Sequence, residues 1–469
     1  MQLNITDVSC RGPTTTSHWR QTTQLPNYSC SENNVSIQFT LSSSFHSAWN
    51  PTSNCSLQQC NTSLNGNNNC LSSTTTCFDY RTTNNIRYCA PGILCSILEE
   101  CDNITQACSS NNSVCVINSC CSSQAVCLPL LATQMCKTGW FSTGNMSDAR
   151  YYHTASILSN GKVLVTGGSV NGTNYLNSAE LYDPSTGTWT TTGNMSNARY
   201  YHTASVLPNG NVLVAGGLGN GYLNTAELYD LSTGTWTTTG NMINARDYHT
   251  ASALSNGKVL VTGGYGFTTY LNSAELYDLS TGTWTTTSNM INAREYHTAS
   301  VLSNGKVLVA AGYNGITGTL NSSELYDPLT STWTTTGSMT NAREYHAASV
   351  LSNGKVLVTG GADNSGALNS VELYDPSTGI WTTMNNMTNA RFFHTSSVLS
   401  NGKVLITGGL GNGYLNSADL YDPLTSTWTT TSNMVNTRGS HTASVLSNGL
   451  ILVTGGYNGF SAVNSAELY

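Results

Sequence analysis

The sequence predicts an all-β chain in which a seven-bladed propeller follows a small N-terminal region stapled by disulfides. Three observations carry this. All 15 cysteines of the 469-residue chain lie between Cys10 and Cys136. From Trp140 onward one unit is copied, its arginine recurring at Arg150, Arg199, Arg246, Arg294, Arg343, Arg391 and Arg438, a propeller-sized period of 47 to 49 residues. Each unit holds four short β-rich runs, enough for one small sheet. The boundary therefore falls near Lys137, dividing the chain into residues 1–137 and 138–469.

The first region is rich in Ser, Thr and Asn and poor in large apolar residues, so it cannot bury much of a core without cross-links. No two of its cysteines are three residues apart, which removes the CxxC spacing of zinc and redox sites and favours disulfides. Their pairing is not deducible from sequence. An odd number leaves at least one thiol unpaired or bonded to another chain. Acceptors of N-x-S/T type open at Asn4, Asn27, Asn34, Asn54, Asn61, Asn103 and Asn111, and with the cysteines they suggest an extracellular or cell-surface glycoprotein. QLNITDVSC after Met1 has neither the basic nor the apolar part of a signal peptide, so any signal or anchor is expected outside this sequence. No apolar run approaches a membrane span. The net charge of -7 and the absence of Lys/Arg runs argue against nucleic acid as a partner.

The repeated unit is justified strand by strand. HTASIL and KVLVTGG are joined by Ser159, Asn160 and Gly161, and Asn-Gly supplies the positive φ of a tight hairpin. SAELYD and TWTTT give the third and fourth strands, separated by a turn at Asp183 and Pro184, where Leu231 and Leu279 replace the proline in later copies. Gly167 and Gly168, then Gly216 and Gly217 and their counterparts, end the second strand where the backbone must turn sharply or pass close to a neighbour; the fourth copy has Ala311 and Gly312. Trp189, Trp236, Trp284, Trp333, Trp381 and Trp428 each lie ten residues before an Arg, placed to fill the wedge between blades.

The Gly-Gly doublet, the LYD tyrosine and the spaced tryptophan, recurring in seven copies over Trp140 to Tyr469, resemble the kelch-repeat β-propellers, in the galactose oxidase-like superfamily. That resemblance implies a propeller serving as a binding platform, with copper oxidases as a catalytic minority. The seventh copy stops at SAELY, and WFST at Trp140 has no unit of its own, so the N-terminal strand should complete the last blade with Trp140 acting as Trp189 does in the first.

His153, His202, His249, His297, His346, His394 and His441 occupy one position in every copy, preceded by tyrosines from Tyr152 to Tyr345, with Phe393 and Ser440 breaking the series. Equivalent positions around a ring stand apart, whereas a metal draws its ligands within about 2.0 to 2.2 Å. We therefore expect no metal, no cofactor and no catalytic residue. The copper enzymes also use a propeller cysteine and a further C-terminal domain, and this propeller has no cysteine. No phosphate loop, HExxH or GxSxG is present. The leading function is an interaction module presenting one face to a protein or glycan. A purely structural glycosylated surface protein is the second reading, and a carbohydrate-active or galactose oxidase-like copper enzyme a further alternative.

If blades are near-copies, function should show where they differ. The loops after the doublet vary: SVNGTNYLN, LGNGYLN, YGFTTYLN, YNGITGTLN, ADNSGALN, LGNGYLN and YNGFSAVN. The residue after each repeat Arg also varies, through Tyr151, Tyr200, Asp247, Glu295, Glu344, Phe392 and Gly439. Three acidic copies thus stand between aromatic ones. Acceptors at Asn145, Asn194 and Asn386 belong to the aromatic copies, while further ones open at Asn171 and Asn321. Two expectations follow: a glycan-free acidic arc with flanking Tyr151, Tyr200 and Phe392 for a basic partner, or surface carboxylates that merely pair with their neighbouring arginines.

Overall fold

Thr154–Ile157, Val163–Thr166, Ala179–Asp183 and Thr188–Thr191 pair in sequence order as one antiparallel sheet in the computed structural model. This is blade 1. Blades 2 to 6 repeat it, opening at Thr203–Val206, Thr250–Ala253, Thr298–Val301, Ala347–Val350 and Thr395–Val398. Residues 139–469 are described continuously, and before them 9–11, 27–32, 35–40, 49–50, 55–56, 77–81, 87–91, 100–102, 108, 113–116 and 125–129. The two compact units are Met1–Gly139 and Trp140–Tyr469. Among the described residues no helix is long and apolar enough to cross a membrane.

Blade 7 is assembled from both ends of its unit. Thr442–Val445, Ile451–Thr454 and Ala466–Leu468 are joined by Phe141–Ser142, with Phe141 opposite Leu468 and Ser142 opposite Glu467. Trp140 packs on Tyr469 at 5.1 Å, as Trp189 packs on Tyr182. Hydrogen bonding differs. The Trp189 indole donates to the Gly144 carbonyl at 2.7 Å, a contact to the neighbouring blade repeated in the other five complete blades, whereas the Trp140 nitrogen is buried without a partner.

The core lies between blades. All four residues of the second strand, Val163–Thr166, are buried because both faces meet other sheets. Val163 and Val165 pack with Leu452 and Leu468 of blade 7, while Leu164 packs with Val212, Val214 and Tyr229 of blade 2. Each fully buried Val or Leu contributes about 1.5–3 kcal/mol relative to exposure, which favours closing the ring.

The glycine doublet serves the same closure. A Cβ on Gly167 would lie 2.5 Å from the Arg199 carbonyl oxygen and 2.7 Å from His202 Cε1, both of the next blade, and one on Gly168 would lie 2.9 Å from its own His153 Cβ. The first glycine admits the neighbour and the second admits the blade's own leading loop. Ala311 takes the first position in blade 4 at φ 57°, a conformation strained for any residue with a Cβ.

In the N-terminal unit, Asn27–Glu32 pairs with both Ser9–Arg11 and Val35–Thr40, and disulfides join Cys101 to Cys115 and Cys108 to Cys127. The unpaired cysteine expected from the odd number lies outside the described residues. So do the side chains of the acceptors from Asn4 to Asn111.

Candidate ligand-binding face

The geometry of one face starts from an ion pair that the sequence reading overlooked. Every repeat Arg is buried and bonded to the acid of its own third strand, from Arg150 to Glu180 at 2.8 Å through Arg438 to Glu467 at 2.6 Å. Arg150 also donates to the Gly167 carbonyl at 2.8 Å, and Glu180 accepts the Ser147 and Asp148 backbone N–H groups at 2.7 and 3.2 Å. Removing one partner of such a pair would leave a buried charge uncompensated. In the six blades that carry Glu, the pair therefore clamps the leading loop.

This overturns the expected surface pairing of Asp247, Glu295 and Glu344 with their adjacent arginines. Arg246, Arg294 and Arg343 point inward to Glu275, Glu324 and Glu372 instead. The residue after each Arg bridges the residue after the glycine doublet: Tyr151 with Ser169, Tyr200 with Leu218, Asp247 with Tyr265, Glu295 with Tyr313, Glu344 with Ala362, Phe392 with Leu410. The two variable loop sets thus share one face.

One residue further, Tyr152, Tyr201, Tyr248, Tyr296, Tyr345, Phe393 and Ser440 all adopt positive φ, between 49° and 55°. Such backbone is sparsely populated and is held here by the clamped loops. It aims the six rings at one another, with centroid distances of 4.1, 3.8, 4.2, 4.0 and 4.3 Å from Tyr152 to Phe393. Tyr152 and Phe393 meet edge-on at 5.6 Å across Ser440, closing an aromatic ring. Burial pushes these phenols above their ordinary range, to about 12 at Tyr152.

The histidines beside them face elsewhere. His153 Nε2 is 3.1 Å from Thr442 Oγ1 of blade 7, and His202 Nε2 is 3.0 Å from Thr154 Oγ1 of blade 1. Each tyrosine–histidine pair diverges, phenol into the aromatic ring and imidazole against the preceding blade. Burial first, then nearby arginines, depress His153, His297 and His394 to about 3, so they stand neutral. Among the described residues, the group with metal-ligand spacing is Cys101, Cys108 and Cys127, whose sulfurs form disulfides.

Tyr201, Tyr248 and Tyr296 of the aromatic ring line a cavity of about 280 Å³ together with Tyr200, Leu218, Tyr222, Asp247, Tyr265, Tyr270 and Glu295. It draws on the loops of blades 2 and 3 and the loop leading into blade 4. Asp247 is 2% exposed and Glu295 5%, far from the open surface arc expected of them. Burial pushes Asp247 up to about 7 and Glu295 up to about 8, the latter helped by the charges of Asp247 and Glu344. Half-buried Glu344 stands at about 7 through burial alone. Tyr200 stacks on Tyr175 at 4.6 Å, whereas Tyr151 lies against Tyr457 and Phe392 against Phe393, outside the cavity. Sequence reasoning missed Tyr222, Tyr265 and Tyr270, although each sits in a loop singled out for its variability. The acceptors Asn145, Asn171, Asn194 and Asn386 are exposed. Asn321 Nδ2 donates to the Met339 carbonyl at 3.0 Å, as the equivalent amide does in every blade, so that asparagine has a structural task of its own.

Comparison with known proteins agrees with this architecture. The family profile described as Attractin/LZTR1 beta-propeller matches residues 220–465, and that described as KLHDC2/KLHL20/DRC7 Kelch-repeats domain matches residues 107–292. No curated protein sequence matches the chain. A solved structure titled as a novel fungal alcohol oxidase of the AA5 family in complex with copper is similar at a TM-score of 0.58 and 20% identity, over 71% of this chain and 75% of that one. At that identity the likeness concerns the fold alone.

Proposed function

The chain belongs to the attractin/LZTR1 β-propeller family, whose kelch-type blades suggest a protein-interaction module, and we propose that it works outside the cell, binding a protein partner on the face built from the two variable loop sets. The observation that carries this is asymmetry. Buried Arg and His recur in every blade, while the loops that differ most in sequence and length lie on one face and there form the tyrosine-lined cavity with Asp247 and Glu295. Stability needs the shared residues; it does not need two buried acids without a cation. The extracellular setting is supported by the two disulfides and by the exposed acceptors at Asn145, Asn171, Asn194 and Asn386.

The test is to select binders from a random peptide display library against the whole chain and map them by hydrogen exchange. Protection at residues 200–201, 218–222, 247–248 and 265–270 is expected. Binders that all protect the opposite hairpins, such as 158–161 and 207–210, would overturn the reading. Expression through a eukaryotic secretory pathway, followed by enzymatic removal of N-glycans, checks the setting: a mass that does not change would count against it.

A further inference from the structure

Nine carboxylates are buried among the described residues: Glu180, Glu227, Asp247, Glu275, Glu295, Glu324, Glu372, Asp419 and Glu467. Seven of them pair with an arginine at 2.6 to 2.9 Å. No cation among the described residues pairs with the other two, Asp247 and Glu295, and both line the same cavity. A buried carboxylate without a counter-charge is costly. Elsewhere this fold meets that cost with an arginine from the same blade. Asp247 Oδ1, moreover, is buried with no hydrogen-bond partner.

The rest of the lining matches the same kind of guest. Seven tyrosines surround the two acids, and the faces of such rings attract a positive charge. Tyr222 meets Tyr265 edge-on at 5.6 Å, and Tyr265 meets Tyr270 at 4.9 Å, so the rings form a wall of fixed orientation. A volume of about 280 Å³ suits one side chain rather than an extended ligand. We infer that this cavity is a receptor for one side-chain cation of a protein partner, an ammonium or guanidinium that ion-pairs with Asp247 and Glu295 while lying against Tyr222 and Tyr265. The inference rests on the interaction reading and names the group that the face selects.

Isothermal titration of the whole chain with Nα-acetyl-lysine methylamide and Nα-acetyl-arginine methylamide tests it without needing the partner. The neutral Nα-acetyl-norleucine methylamide and free galactose serve as comparisons. At least one cationic probe should bind tenfold or more tightly than norleucine, and the stronger of the two tells ammonium from guanidinium. Binding should weaken at least tenfold in the Asp247→Asn, Glu295→Gln double variant and on raising salt in the unaltered chain, a measurement that stands even if the variant folds poorly. Equal affinity for lysine and norleucine probes, or preferential binding of galactose, would overturn the inference. Display peptides that bind this face regardless of Lys or Arg content would leave the interaction reading standing and remove this one.

Discussion

The sixth copy of the repeat carries its own control experiment. Six blades place Glu on the third strand, and blade 6 places Asp419, one methylene shorter. Asp419 still reaches Arg391, at 2.8 Å, but its other oxygen is buried without a partner. In the six Glu blades that carboxylate also accepts two backbone N–H groups of the leading loop, at 2.6–2.8 and 3.0–3.2 Å. Asp419→Glu should restore those bonds to Thr388 and Asn389. Hydrogen bonds to a charged group contribute about 1.5–3 kcal/mol each, and holding the longer side chain in place costs part of that, leaving a gain of about 1–3 kcal/mol. A unit of roughly 330 residues has an unfolding entropy near 0.7 kcal/mol/K, so Tm should rise by about 1–4 °C. Calorimetry measures the shift, and slower hydrogen exchange at Thr388 and Asn389 reports the mechanism. The reverse change in blade 2, Glu227→Asp, should lose a similar amount. A fall in the second variant with no rise in the first would refute the argument.

Ala311→Gly should relieve the strained backbone of blade 4 and raise stability by about 1 kcal/mol, somewhat offset by the freer unfolded chain; a lower Tm would mean the Ala311 methyl group packs better than its φ of 57° costs. Deleting residues 138–146 removes Phe141–Ser142 from blade 7 and should sharply lower the melting temperature, and an unchanged value would show that this strand does not close the ring. The pH profile of stability should peak near pH 6 to 7. The buried histidines are depressed, so the stability they lend is complete above about pH 6.5 and falls as acid protonates the unfolded chain. Asp247, Glu295 and Glu344 are raised, so theirs is complete below about pH 4 and is lost as the pH climbs through 7 to 8. Denaturant titrations from pH 4 to 9 check this, and stability rising steadily to pH 9 would contradict the burial of the three acids.

The seven blades, their hairpins and the shared tryptophans were legible in sequence because each is written seven times, at a propeller-sized spacing and in units made of four β-rich runs. The pairing of Phe141 with Leu468 was legible for a complementary reason, since one copy lacked a strand and another stretch lacked a copy. The Arg–Glu clamp was overlooked although both residues recur, because 28 to 30 residues separate them and only strand register brings them together. The variable acids could be singled out, but whether they face water depends on the side to which each leading loop turns. That is a property of positive φ at the following tyrosine, which side-chain pattern does not reveal. The cavity joins loops of different blades, and a single sequence gives no measure of their approach.

The axial ring of six aromatics sets a limit on how regular this protein can be. Neighbouring rings sit about 4 Å apart, whereas Tyr152 and Phe393, on either side of Ser440, are 5.6 Å apart, leaving no room for another ring between them. A sevenfold copy of any one of the tyrosine blades would have to splay its inner strands to seat the last phenol. Six such blades can therefore be exact copies, but the seventh must be edited, and anyone designing a symmetric propeller from this unit would need to choose between full symmetry and rings this closely spaced.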